Sequence, residues 1–365
     1  MRSVTSVVAV CTLIVAGAAA GPAYAAGSGP KCGDVLTHNT RLTNDLVCAG
    51  PGITVGRGVT FDLNHHTISA GSPSAGGITV GDSSRVSNGV LSGFATALVN
   101  NYESQAADID RVTFRGNGIA VSANFMRGLR LRDDTFERNQ TAVSSTDAII
   151  DITHSAFRDN GASLETPLSQ VTVRDSTFER NGSIASCLQG ILNMDNSVAR
   201  NNSAGIYLFQ CDTSQISDST FDNDGVAVTF EAFYPGFAGT VVTGSTFTRN
   251  VTGIAMYSVI GLGTGGSISN NRFSNNGTGI YANDSGCGCA AEPYAIAGNV
   301  FSGNSGDGLH LDSGAAPANV MSNVAKRNGG WGLYVDPSTG SIDGGGNVGS
   351  GNGEPAQCHG VTCAH

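Results

Sequence analysis

Five residues of this 365-residue chain could move protons at a glycosidic bond: the carboxyls of Glu231, Asp284, Asp312 and Asp336, and the imidazole of His310. Among them stand five aromatic rings, Tyr207, Phe209, Tyr257, Tyr281 and Tyr334. Rings of this kind stack on the apolar faces of sugars while carboxylates take the hydroxyls, so the mixture suits a polysaccharide or cell-wall glycan. Two carboxyls at a suitable separation hydrolyse a glycosidic bond, and Asp312 and Glu231 are the first candidates. Elimination fits less well. It calls for Arg, Lys or calcium beside a uronate, and the chain has only two lysines, Lys31 and Lys326. The competing reading is a non-catalytic surface or adhesive solenoid that binds a protein or cell-wall partner, its acidic residues serving only to solvate a Gly-rich surface.

Groups so far apart along the chain can share a site only if the fold files them in register, and the sequence supplies a repeat that would do so. The strings VTVRDSTFERN, ISDSTFDND, VTGSTFTRN, ISNNRFSNN and IAGNVFSGN align on one apolar anchor. Anchors at Ile68, Leu91, Phe114, Phe136, Phe157, Phe178, Val198, Phe221, Phe247, Phe273, Phe301, Ala325 and Gly349 recur at intervals of 20 to 28 residues. Five residues before the anchor comes an aliphatic such as Ile109, Val173 or Ile268, with Asn193 the exception. Three residues after it stands asparagine in most coils, for example Asn117, Asn160, Asn201 and Asn276, where left-handed backbone and stacked amides would suit a bend. Each coil thus carries two or three short strands that can pair only with their equivalents above and below. That pattern predicts an all-β, right-handed parallel β-helix of about thirteen coils. Leucine-rich repeats would need several fixed leucines per unit, and left-handed hexapeptide helices would need strides of six.

Most coils then open another strand with Gly followed by an aliphatic. If Ile206, Ile254, Ile280, Leu309 and Leu333 point inward, alternation puts Tyr207, Tyr281, His310 and Tyr334 outward. The next outward positions are Phe209, Tyr257, Asn283, Asp312 and Asp336, and earlier coils would show Ala120, Ser144, Ser163 and Ala185 in the first column. The three longest intervals place their extra residues after this strand, around 231–239, 258–266 and 283–294, as a wall beside the face.

A second polar column, three residues before the anchor, holds His65, Asn88, Arg111, Asp133, His154, Asp175, Asp195 and Asp218, read as hydrogen-bonded spacers. Charges just after the anchors alternate in sign between coils and read as exposed ion pairs, with Arg180, Arg200 and Arg249 as the one candidate basic stripe. His65 and His66 with Asp62 would make a metal or acid–base cluster, although an end coil offers little enclosure.

An apolar run from Val7 to Ala20, too short to cross a bilayer, reads as a signal peptide over 1–25, cleaved after Ala25. The expected organisation is then an N-terminal cap over 26–58, the β-helix over 59–352 and a C-terminal cap over 353–365, with no membrane span. Net charge is −10, and loss of Arg2 makes it one unit more negative, which argues against nucleic acid as a partner. A secreted monomer with no resident cofactor is expected, calcium being the one ion its acidic surface would attract. Eight cysteines remain after cleavage, and an even count in an exported chain favours disulfides. Cys32 with Cys48 and Cys358 with Cys363 would staple the ends, and Cys187 with Cys211 would bridge neighbouring coils. The Cys287-Gly-Cys289 element is either a strained bridge or a thiolate pair.

Asp62-Leu63-Asn64 followed by His66-Thr67-Ile68 resembles the DLNGHTI entry coil of secreted bacterial proteins of the pectate-lyase-like right-handed β-helix superfamily. The Cys32 start and the GNGEPAQCHGVTC end are similar to that group's caps, while His65 replaces its Gly. The superfamily contains pectate lyases, polygalacturonases, uronate epimerases, tailspikes and adhesins. The resemblance therefore implies the fold and a carbohydrate ligand.

Overall fold

The computed structural model describes residues 29–101, 105–211, 213–231, 239–257, 265–283 and 293–365. The proposed signal peptide, Asp284, Cys287, Cys289 and most of the three long insertions lie outside the described residues. Each coil contains an entry strand, an anchor strand and a face strand, as in Val241–Thr243, Thr246–Thr248 and Thr252–Tyr257. Every strand pairs in parallel with its equivalents in neighbouring coils. Fifteen face strands form one file from Val35–Leu36 to Cys358–His359. Entry and anchor ladders fuse where Ser84–Ser92 and Ala106–Arg115 run unbroken through the corner between them. The only helix among the described residues is the short 3-10 turn Pro337–Thr339, and none is long and apolar enough to cross a membrane.

Short strands form here because each apolar anchor meets its copy one coil away. Rings of Phe114, Phe136, Phe157 and Phe178 stack at 5.0, 4.6 and 4.7 Å between centroids, and Phe221, Phe247, Phe273 and Phe301 at 5.0, 4.8 and 5.1 Å. Between the two piles the register passes through Ala199, not Val198. Ala199 is fully buried, whereas Val198 is 37 % exposed on the outer side of the strand. The one-residue correction removes an irregularity, since buried Met194, and no longer Asn193, then stands five before the anchor.

It also moves the asparagine of that coil from Asn201 to Asn202. The ladder then runs from Asn117 through Asn139, Asn160, Asn181, Asn202, Asp224, Asn250, Asn276, Asn304 and Asn328 to Asn352, where Gln357 closes it. Each asparagine amide accepts from the backbone N–H of the rung before and, except at Asn117 and Asn250, from its side-chain N–H as well, and donates to the carbonyl of the previous anchor, as Asn160 does to Phe136 at 3.0 Å. The ladder residues are not the left-handed ones. That conformation falls one residue earlier, at Arg138, Asp159, Arg180 and Asn201, and again three before the anchor, where His65, Asn88, Arg111, Asp133, His154, Asp175 and Asp218 have φ between 47° and 65°. The polar column of the sequence is thus a file of turn residues, in which Asn, Asp and His tolerate left-handed backbone and Arg111 adopts it too.

A second internal ladder lies two before the anchor. Asp134, Ser155, Ser176, Ser197, Ser219 and Ser245 pass backbone N–H bonds along it to Asn271, Asn299, Asn323 and Asn347. Disulfides join Cys32 to Cys48, Cys187 to Cys211 and Cys358 to Cys363, with Cα atoms 5.6, 6.4 and 6.0 Å apart.

Candidate functional site

The face strand begins with two successive inward residues, not with simple alternation. Ala120 and Val121, Ala142 and Val143, and Ala227 and Val228 are all buried, because the chain is still turning out of the asparagine corner. Ala120, Ser163 and Ala185 accordingly lie inside, and the outward column on those coils holds Ser122, Ser144, Glu165 and Ser186. From there the column continues through Tyr207, Thr229, Ala255, Tyr281, His310, Tyr334 and His359. Two residues further along each strand, Phe209, Glu231 and Tyr257 are paired neighbours, and Asn283, Asp312 and Asp336 follow on the next coils.

Thr229 and Ala255 divide the aromatic face into two patches. In the first, Tyr207 and Phe209 rings lie 6.4 Å apart, and the Tyr207 hydroxyl donates to Glu231 Oε2 at 2.7 Å. Burial, reinforced by that carboxylate, pushes the Tyr207 phenol up to about 12. The second patch is continuous. Tyr257 to Tyr281, Tyr281 to His310, His310 to Tyr334 and Tyr334 to His359 are 6.2, 5.6, 4.6 and 5.0 Å apart, and Trp331 flanks both Tyr334 and His359. Five successive coils therefore carry rings in mutual contact, Tyr257 from the second outward column and the other four from the first.

His310 is held by a partner that the spacing of the sequence did not expose. Its Nδ1 lies 2.6 Å from Asp307 Oδ2, and Asp307 Oδ1 accepts the Trp331 backbone N–H at 2.5 Å. A carboxylate fixed in this way favours the tautomer with the proton on Nδ1, which leaves Nε2 as an acceptor. Asp307 precedes the face strand by two residues, so strand alternation gave no reason to place it beside His310. Asp312 directly follows the His310 strand; after burial, its negative charge raises the Tyr281 phenol and, behind that of Asp336, the Tyr334 phenol. Asp336 accepts from the Ser338 N–H at 2.8 Å and from the Ser338 hydroxyl at 2.6 Å, which holds its carboxyl below the ordinary value. It is therefore suited to a carboxylate role and not to proton donation.

Glu231 and Asp312 do not meet. Three coils separate them, about 14 Å at ~4.8 Å per coil, beyond the ~5–9.5 Å that places two carboxyls on one glycosidic bond. Asp312 and Asp336 are one coil apart. Asp284 and the segments 232–238, 258–264 and 284–292 lie outside the described residues, although these segments directly follow Glu231, Tyr257 and Asn283 on three neighbouring coils.

A different, polar cleft of about 350 Å³ lies over the entry strands, lined by Thr172, Arg174, Asn193, Asp195, Gln215 and Ser217. The misplaced anchor concealed it. Asp195 is an outward strand residue that accepts from the Ser217 hydroxyl at 2.6 Å, and Asn196 takes the turn position assigned to it. At the entry coil, His66 contacts Asp45, while Asp62 binds Arg41, the Asn64 N–H and Asn88. The described residues contain no group of three or more ligating side chains.

The profile of the family described as "Right handed beta helix region" matches residues 97–259 and 195–347, which together span most of the chain. The chain belongs to this family. A search of curated proteins returns no match. Among solved structures, the β-helix is similar to the catalytic unit of a thermostable GH87 alpha-1,3-glucanase from Streptomyces thermodiastaticus strain HF3-3, with TM-score 0.52 and 12% identity over 88% of this chain. It spans 64% of the glucanase. A tailspike protein of E. coli bacteriophage HK620, solved with a pentasaccharide, superposes with TM-score 0.47 and 12% identity over 90% of this chain and 73% of its own.

Proposed function

We propose that this β-helix is secreted and binds an extracellular polysaccharide lengthwise along its face strands, over the coils of Tyr257, Tyr281, His310, Tyr334 and His359. The observation that carries the proposal is the unbroken file of rings, edged by the carboxylates of Asp307, Asp312 and Asp336. Aromatic rings repeating at each coil offer apolar contacts to successive sugars of an extended chain, and acidic edges accept their hydroxyls. Three disulfides agree with an oxidising compartment, and the glucanase is a polysaccharide-acting protein by name.

Retention on a panel of immobilised neutral and acidic polysaccharides tests the reading. Tyr281→Ala removes the ring that joins Tyr257 to His310 and is expected to weaken binding about tenfold or more, the ~1.4 kcal/mol of an interfacial hot spot. A Tyr281→Ala protein retained as strongly as wild type on every glycan would sink the proposal.

One observation favours cleavage as well as binding: the Asp307-oriented His310, with Asp312 beside it. In that reading Asp312 and His310 are the acid–base pair, with Glu231 serving binding through Tyr207. Asp307→Asn and Asp312→Asn should then each lower the release of new reducing ends by roughly 100-fold while glycan retention persists. Unsaturated uronate products in place of new reducing ends would instead identify elimination.

A further inference from the structure

Round the asparagine corner from the aromatic face, the same coils carry a feature that glycan stacking does not use. Elsewhere along the anchor strands most arginines are neutralised, Arg158 being the exception. Arg115 pairs with Glu137, Arg180 with Asp159 and Glu179, Arg200 with Glu179, and Arg249 with Asp222. The stripe expected at Arg180, Arg200 and Arg249 is therefore cancelled. Compensation then stops. Arg272, Lys326 and Arg327 line one cleft of about 350 Å³, with Val300 on its floor and Ser302 and Asn275 among its polar groups. All three cations are exposed, and among the described residues none forms an ion pair or a side-chain hydrogen bond. The positions that hold Glu or Asp on earlier coils are here Ser274 and Ser302.

Three uncompensated cations converging on a concavity, in a chain of net charge −10, need an explanation beyond solubility. We propose that this cleft is a second glycan subsite that binds the oxyanions of an acidic polysaccharide, its carboxylates or its sulfate or phosphate esters. Arg272 stands on the coil of Phe273, and Lys326 and Arg327 on the coil of Ala325, two rungs further along. That separation is about 10 Å along the axis, so an acidic chain running parallel to the aromatic file meets one guanidinium and then, two coils on, an ammonium and a second guanidinium. Guanidinium forks take such oxyanions in bidentate fashion, and the seryl hydroxyls and Asn275 lie where the ring hydroxyls would fall. This deepens the polysaccharide reading but rests on different residues, so the two can fail separately.

The test measures binding of the full mature protein to polygalacturonate, a sulfated glycan, a phosphate-bearing glycan and a neutral glucan, across a range of salt. The Arg272→Gln/Lys326→Gln/Arg327→Gln protein is expected to bind at least one acidic glycan tenfold or more weaker than wild type, with a shallower salt dependence. Its retention on a neutral glycan should equal that of wild type. Which of the three acidic glycans loses affinity identifies the oxyanion. Tyr281→Ala supplies the separation: loss of neutral binding with a surviving salt-dependent acidic component supports the cleft as a site of its own. Equal acidic-glycan binding by wild type and the triple variant overturns the proposal, as does failure of wild type to bind any acidic glycan. Duplex DNA binding as tightly as the glycans at the same salt, and equally sensitive to the three substitutions, overturns the assignment to a glycan. Unchanged circular dichroism and melting of the triple variant are expected, since all three side chains are exposed.

Discussion

Asp224→Asn will stabilise the solenoid at pH 8 by about 3 kcal/mol and change it little at pH 4. Asp224 occupies an asparagine rung, 3 % exposed, where its Oδ1 accepts the backbone N–H of Asn202 at 2.7 Å and its amide N–H at 2.9 Å. Every flanking asparagine also donates to the previous anchor carbonyl, as Asn202 does to Phe178 and Asn250 to Phe221. A carboxylate cannot donate. Its Oδ2 is buried without a partner on the side where the repeat places the Ala199 carbonyl. Burial therefore pushes the Asp224 carboxyl up to about 6 from 3.8, against the two bonds from Asn202 that lower it. Below 3.8 both folded and unfolded chains hold the proton, and the protonated acid can serve the rung as an amide does. Between about 4 and 6 the unfolded chain releases it first, so the folded state binds more protons and stability falls as pH rises. Above about 6 the full penalty of roughly two pKa units, ~3 kcal/mol, is in force. Urea midpoints of wild type and Asp224→Asn across this range check it; parallel curves would show that Asp224 is not strained by its charge. Asp134, buried in the second ladder with Oδ2 also unpartnered, has its carboxyl raised well above the ordinary value by burial and should respond in the same direction.

The solenoid was legible because a stacked fold writes its contacts into the sequence as recurrence. Phe114 and Phe136 touch because they are equivalent, and no distant pairing had to be guessed. Legibility failed where two residues competed for one slot. Val198 is the larger apolar neighbour of Ala199 and more β-prone, but the turn geometry on either side fixes which of them faces inward. Asn201 and Asn202 presented the same ambiguity. Period-two reasoning likewise failed at Ala120, because a corner that turns two successive residues inward breaks alternation before the strand resumes it. On the functional face the aromatic file was legible once strand register was, whereas the His310–Asp307 pair was not. That contact depends on how the corner folds back, which no periodicity encodes. The pairing of Glu231 with Asp312 failed on distance, since residues that share a column are separated by as many coils as lie between them.

The largest single loss should come from Asn160→Ala. Asn160 lies mid-ladder, 2 % exposed, with Oδ1 accepting both the backbone N–H and the amide N–H of Asn139 at 3.0 Å and Nδ2 donating to the Phe136 carbonyl at 3.0 Å. Truncation strands the backbone N–H and one amide N–H of Asn139 and the Phe136 carbonyl in an interior that water does not reach. At ~1–3 kcal/mol for each of these three orphaned groups, the expected cost is roughly 6 kcal/mol. Nearest-neighbour coupling should confine the damage at first to the coils of Phe136 and Phe157, so amide hydrogen exchange there should accelerate before the global midpoint shifts. Asn160→Asp separates geometry from charge. It keeps the acceptor and the shape but loses the donor, and so should acquire the pH profile of Asp224: near wild-type stability at pH 4 and a growing deficit toward pH 8. If Asn160→Ala lies within about 1 kcal/mol of wild type, well below what three orphaned groups would cost, the ladder is a consequence of the coil geometry and not one of its causes.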